Sequence, residues 1–309
     1  MSDIVLRTRE LSKNFGGRPA VDHVSMEIGR GHIYGFIGKN GAGKTTFMRM
    51  VCGLANPGSG TIELFGQTGL ELVSARRKMG SVIETPSIFP SMTAYQNMET
   101  HRRAVGAKGG KAEINKILEM AGIADTGRKK AKAFSLGMKQ RLGLALTLIN
   151  EPELLILDEP INGLDPTGIA EIRETLKSLA REKGVTILIS SHILTELHQL
   201  ANDYGFIHNG KMIRQLTADE LKEECRRYIS VETDDAAKAG EVLRNAGITD
   251  FSVASGNTIQ INDANADTAK LNAALVSAGV VVRGIAAQGQ DLEQYFLGLI
   301  GENGKEAWA

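Results

Sequence analysis

Residues Gly38 to Thr45 read G-K-N-G-A-G-K-T, and no other stretch of the 309-residue chain restricts its folding so tightly. A short apolar run precedes it (Ile33, Tyr34, Phe36, Ile37), and a helical pattern follows from Lys44 to about Leu54. Strand, glycine-rich loop and helix in that order form a cradle for phosphate. Gly38, Gly41 and Gly43 let the backbone N–H groups curl around an anion, and the helix N-terminus adds partial positive charge at the same point. Asn40, Ala42 and Thr46 complete the expected contact set. Lys44 would reach the β- and γ-phosphates, and the Thr45 hydroxyl would ligate magnesium. Further on, the continuous apolar run Leu154–Leu157 ends in Asp158-Glu159, the carboxylate partner such a loop requires. The two segments together imply a nucleoside triphosphate bound with Mg2+, and its hydrolysis.

At this length one modest core is insufficient, and two domains are expected. Lys and Arg number 36 and so do Asp and Glu, so the basic excess of a nucleic-acid binder is lacking. No apolar run approaches the ~18 residues of a membrane span. Met1-Ser2-Asp3-Ile4 carries no signal-peptide pattern. Cys52 and Cys225 lack metal-ligand spacing and suit a reducing compartment, so the chain by itself is expected to be cytoplasmic.

The first segment alternates apolar and polar residues (Ile4-Val5-Leu6, then Val24 to Ile28), which predicts half-buried antiparallel strands. Strands at 33–37, Thr61–Phe65, Leu154–Leu157 and Val185–Ser190 follow, with a helix from about Gly168 to Lys183 before the last. The continuous apolar runs are those of strands buried on both faces. Between them, about 87–150 reads as helical, with Ile114, Ile117, Leu118 and Ala121 at helical spacing. The expected fold is α/β: a phosphate-loop, RecA-like core with an antiparallel β subdomain and a helical insertion, over residues 1–216. Near Thr217 the pattern changes. Residues 217–309 read as strand (Tyr228–Val231), helix (Ala236–Ala246), strands (Phe251–Ala254, Thr258–Ile261), helix (Ala264–Ala278) and strand (Val280–Ile285). A last amphipathic helix carries Leu292, Tyr295, Phe296, Leu297 and Ile300. That order is a ferredoxin-like α+β unit, and it holds no cluster of His, Cys or paired acids that points to chemistry.

Four further motifs occur in a telling order: Phe134-Ser135-Leu136-Gly137-Met138-Lys139-Gln140-Arg141, then Asp158-Glu159-Pro160, then Asn162-Gly163-Leu164-Asp165, and finally Ser191-His192. With the phosphate loop, this series resembles the ATP-binding subunit of an ATP-binding cassette (ABC) transporter over residues 1 to about 215. The resemblance implies that Phe15 stacks on adenine; the alternative for a lone aromatic is a place in the N-terminal strand core. It implies that Asp158 holds magnesium, that Glu159 positions or deprotonates the attacking water, and that His192 contacts the γ-phosphate and links it to Glu159. Ser135, Gly137 and Asp165 would face the nucleotide of a second cassette, so that two ATP molecules are sandwiched in a head-to-tail homodimer or in a pair with another ABC ATPase. A separate membrane-spanning permease would complete the assembly and hold the chain on the inner face of the membrane.

Two departures from the family pattern bear on function. The usual L-S-G-G-Q signature is here Phe134-Ser135-Leu136-Gly137-Met138, and Met138 cannot donate as the glutamine does. Glu84, in Val82-Ile83-Glu84-Thr85-Pro86, stands where the family carries glutamine. The resemblance makes it a third magnesium ligand, and a glutamate in this loop resembles the ATPases of lantibiotic-immunity and bacitracin-resistance exporters. The ending Asp291-Leu292-Glu293-Gln294-Tyr295-Phe296 is similar to that group as well. The leading expectation is an ATPase driving export of such an antimicrobial peptide. An ABC-2 type exporter of another drug, lipid or polysaccharide is the alternative. A non-transport ABC protein fits less well, with one phosphate loop and no heptad run.

Overall fold

The computed structural model describes residues 3–226, 228–254, 257–263, 266–289 and 292–306, the last five without side chains. Met1, Ser2, Ala264 and Asp291, drawn on above, lie outside the described residues. The chain divides into two compact units, Met1–Ala218 and Asp219–Ala309.

The first unit opens with β1 (Ile4–Phe15) and β2 (Arg18–Gly29), joined by a tight turn at Gly16-Gly17, where both residues have positive φ. They form an antiparallel sheet in the order β2-β1-β4, where β4 is Ser59–Leu64. Val5, Leu11, Val24 and Ile28 are buried, and the charged residues between them are part-exposed or exposed, which is the alternation expected of a sheet with one wet face. Between β2 and β4 come β3 (Ile33–Ile37) and α1 (Lys44–Val51). A short α2 (Leu72–Ala75) and β5 (Met79–Val82) follow β4.

The helical insertion holds α3 (Ala94–Val105), α4 (Lys111–Met120) and α5 (Leu136–Leu148). Its starts are chemically specified. Thr93 and Gln96 form a reciprocal capping box at α3, and the Ser135 hydroxyl accepts from the Met138 N–H at α5. The chain then returns through β6 (Leu154–Leu157), α6 (Pro166–Lys183), β7 (Thr186–Ser191), a short α7 (Leu194–Leu197), β8 (Asp203–His208) and β9 (Lys211–Thr217). The six-stranded sheet runs β5-β6-β7-β3-β8-β9, parallel except for the β8–β9 pair. Every residue of β3, β6 and β7 is buried, which explains the apolar runs at their centres; β7 adds the buried hydroxyls of Thr186, Ser190 and Ser191 at its ends. On one side the sheet and α1 share a core with the antiparallel layer. Within it the Phe36 and Phe47 rings meet at 5.2 Å, a contact worth about 0.5–1.5 kcal/mol beyond their burial.

The second unit contains α8 (Ala218–Glu224), β10 (Tyr228–Thr233), α9 (Ala236–Asn245), β11 (Phe251–Val253), β12 (Thr258–Ile261), α10 (Thr268–Ser277), β13 (Val282–Gln288) and α11 (Leu292–Glu306). Its sheet order, β11-β12-β10-β13, is antiparallel throughout, the ferredoxin-like arrangement. Ile229, Val231, Ile259 and Ile261 project from one face onto Ala239 and Leu243 of α9 and Leu271 and Leu275 of α10. Among the described residues no helix of either unit is long and apolar enough to cross a membrane.

Candidate active site

Parallel pairing brings the ends of β3, β6 and β7 to one edge of the large sheet: Ile37 lies opposite Ser191, and Leu157 opposite Ile189. The residues following those strands form the site. The loop after β3 is tied to β7 by the Gly38 N–H donating to the Ser191 carbonyl, 3.3 Å. Its glycines answer to close backbone neighbours. A Cβ on Gly38 would lie 2.5 Å from the Ile207 carbonyl oxygen, and one on Gly43 (φ 112°) 2.3 Å from that of Ala20. Gly43 caps the N-terminus of α1, so the helix begins at Lys44 with its N–H groups facing the loop.

Lys44 is buried, and its ammonium donates to the carbonyls of Gly38 (2.6 Å) and Lys39 (3.3 Å). It also lies 3.2 Å from Oε1 of Glu159. The Thr45 hydroxyl donates to Oδ2 of Asp158 at 2.7 Å. Asp158 itself is buried, 4% exposed, and its backbone N–H is held by the Val82 carbonyl of β5. Glu159 follows in the left-handed region (φ 47°), a conformation that costs a non-glycine residue about 1–3 kcal/mol and persists only where neighbours impose it. The imposing neighbour is Ser190. Its hydroxyl accepts the Glu159 backbone N–H at 2.9 Å and donates to Oδ1 of Asp158 at 2.6 Å. Oε2 of Glu159 meets Nδ1 of His192 at 2.9 Å and accepts from the Asn162 amide at 3.2 Å.

Lys44, Thr45, Asp158, Glu159 and His192 therefore form one connected group. Asn40 and Gly41 are exposed at the loop tip, Ala42 is buried, and Thr46 is half-buried. Phe15 ends β1 with 57% of its surface exposed and the Lys13 ammonium 5.4 Å from its ring, so it is not a core residue. Ser135 and Asp165 both act as helix caps: the Asp165 carboxylate accepts from the Gly168 N–H at the start of α6. Their segments are neighbours, since a Cβ on Gly137 would lie 3.4 Å from Leu164 and one on Gly163 3.0 Å from Leu136.

Glu84 stands apart from the magnesium set assigned to it from sequence. Its carboxylate is exposed and accepts from the Arg49 guanidinium of α1 at 2.6 Å, while its backbone sits at φ 64°. Glu84 is thus paired with a guanidinium by a charge-assisted hydrogen bond, and the structure does not bring it to the Thr45–Asp158 pair. Ser190 and Asn162 were not singled out from sequence. The signal for Ser190 was a hydroxyl inside an otherwise buried strand, since such a group must find partners.

The donors present fit a small hard cation. Thr45 and Asp158 offer two oxygens side by side, and the buried carboxylate has hydroxyls for partners while Lys44 is given to Glu159. No group of three or more His, Cys, Asp or Glu able to enclose a metal occurs among the described residues. Magnesium needs no such cage, because substrate phosphates and water supply most of its ligands.

Comparison with known proteins agrees with this geometry. Residues 21–162 match the family described as ABC transporter. The chain is 41% identical over 299 residues to the bacitracin transport ATP-binding protein BcrA of Bacillus licheniformis, covering 96% of this chain and 97% of that one. It is 44% identical over 217 residues to the lantibiotic transport ATP-binding protein SrtF of Streptococcus pyogenes, covering 70% and 92%. Among solved structures, cbiO1 from Clostridium perfringens, part of the ABC transporter complex cbiONQ, superposes with a TM-score of 0.64 at 30% identity, covering 72% of this chain and 92% of that one. The chain belongs to the ATP-binding subunits of ABC transporters, ATPases coupled to transport.

Proposed function

We propose that this ATPase drives export of a bacitracin- or lantibiotic-like antimicrobial peptide and so confers protection against it. The observation that carries this reading is the 41% identity to a bacitracin transport ATP-binding protein, which extends over 96% of the chain and so through the second unit.

In the proposed cycle the loop from Gly38 to Thr45 binds the triphosphate of ATP, with Lys44 redirected from Glu159 to the phosphates and Phe15 stacked on adenine. Thr45 and Asp158 would hold Mg2+, whose chemistry at such a site is neutralisation of phosphate charge. Glu159, oriented by Asn162 and His192, orients the attacking water and accepts its proton; a carboxylate within hydrogen-bond reach suits that task. His192 then contacts the γ-phosphate while keeping Glu159 in place. A second copy of the chain closes the site head-to-tail, presenting Ser135, Gly137 and Asp165. The N-terminus of α5 would bring its partial positive charge to that phosphate.

A separate membrane-spanning permease would receive the motion. Its docking place is the groove of about 860 Å³ lined by Arg76, Ile83, Pro86, His101, Val105 and Ile149, between β5 and the helical insertion. The test is a strain lacking this chain, complemented with the wild type or with Glu159→Gln. Restored resistance to bacitracin or a lantibiotic with the wild type alone supports the reading. Unchanged sensitivity to both, with altered sensitivity to a small-molecule drug, moves the cargo to another class.

A further inference from the structure

The formal charge balance of the chain conceals a local imbalance. Residues 87–150 hold eleven Lys and Arg against four Asp and Glu, an excess of seven, within a chain that is neutral as a whole. One of the four acids, Glu99, is already bound by Arg102 and Arg103 at 2.8 and 2.6 Å. The densest part is Arg128-Lys129-Lys130-Ala131-Lys132. Its four cations are exposed, Ala131 is buried beneath them, and none of the four pairs with a carboxylate among the described residues. Lys130 donates instead to the Gln96 amide oxygen at 3.2 Å, and Lys129 lies 3.9 Å from the Met138 sulfur.

This ribbon is held firmly. The Ala131 and Lys132 N–H groups donate to the carbonyls of Met92 and Pro90, both at 2.8 Å, and Lys130 bridges Thr93. The same loop presents Phe89, 51% exposed, and its backbone is pinned at both polar groups by the buried Asn97 side chain (2.7 and 3.2 Å). Lys111 and Lys116 on α4 carry the positive field beyond the ribbon. Four cations in five positions, with no carboxylate partner among the described residues, repel one another. A partner that neutralises them accounts for their presence.

We propose that this face of the helical insertion binds the anionic phospholipid surface of the membrane, with Arg128, Lys130 and Lys132 over the headgroups and Phe89 at the interface. The inference rests on the reading that the chain works beside a membrane permease. An extended lipid surface fits better than one acidic peptide, because the field spans a loop, a helix and a ribbon, and because an aromatic ring stands among the cations. Tyr and Trp favour the same interfacial level for the same reason, a ring beside polar headgroups. Each cation near an anionic leaflet contributes roughly a fivefold gain in binding, lost as salt screens it.

The experiment is sedimentation of the full chain, without permease, with vesicles of phosphatidylcholine alone or mixed with phosphatidylglycerol. Arg128→Gln/Lys130→Gln/Lys132→Gln is the variant; Lys129 is left intact beside the start of α5. The expected result is binding to the mixed vesicles only, release by high salt, and roughly a hundredfold weaker binding by the variant. ATP turnover in solution and the melting temperature should match the wild type, which shows that the variant is folded. Equal binding by variant and wild type overturns the proposal, as does equal binding to neutral vesicles. Absent lipid binding, with permease co-purification lost only in the variant, overturns it in favour of an acidic protein segment. The export reading fails on other grounds, in the resistance assay, so the two failures are separable.

Discussion

Ser190 carries more of the site than its small side chain suggests. One hydroxyl orients Asp158 and holds the Glu159 backbone in the left-handed region. Ser190→Ala leaves a buried carboxylate oxygen and a backbone N–H short of partners, at about 1–3 kcal/mol for each group left unsatisfied. We expect a lower melting temperature and reduced turnover together; a variant with wild-type turnover would show that Ser190 does not position Glu159. Glu159→Gln keeps the shape and removes the proton acceptor. Steady-state phosphate release should fall by roughly a hundredfold or more while ATP is still retained, and undiminished release would remove Glu159 from the proposed role. Cys52 offers a titration test. Burial pushes its thiol up to about 11, with a hydrogen bond to Ser81 pulling weakly the other way. The folded thiol holds its proton longer than the unfolded one, so this residue withdraws stability as pH rises above about 9 towards 11. At pH 8 Cys52 should react with iodoacetamide far more slowly in the native protein than in urea.

At the scale of elements, caps and close approaches decide where each segment starts. Thr93→Ala removes the capping box of α3 and should destabilise the first unit by about 1 kcal/mol, read from its denaturation midpoint. Gly43→Ala places a Cβ against the Ala20 carbonyl and should abolish nucleotide binding by moving the start of α1, measured by titration with a fluorescent ATP analogue. The strands whose sequences declare them are β3, β6 and β7, because burial on both faces favours apolar runs, reduced in β7 to Ile187–Ile189. Strand β5 (M-G-S-V) carries no such pattern. Its place follows from parallel pairing with β6 and from Gly80, where a Cβ would fall 2.7 Å from the Thr147 carbonyl oxygen. Strands β8 and β9 were likewise illegible, since D-Y-G-F-I-H is bounded by polar residues and β9 is mostly exposed. The phosphate loop, Asp158, Glu159 and His192 could be found from motif order alone. The Arg49 partner of Glu84 could not, because 35 residues separate them and only the fold brings them together.

For the whole molecule, the proposed pairing of two copies makes turnover a property of concentration. ATP hydrolysis per chain should rise as the protein is concentrated and level off once the dimer is filled; a flat dependence with monomeric scattering would refute the shared site. The two units also differ in what sustains them. Leu243, Ile259, Leu271 and Leu275 close a core that lies wholly beyond residue 218. Heat should therefore meet two separate melting steps in a calorimeter, and Leu275→Ala should lower one by a few degrees while sparing the other. Injury in the tail would then spare the motor, leaving a chain that still burns fuel after its appendage has come undone.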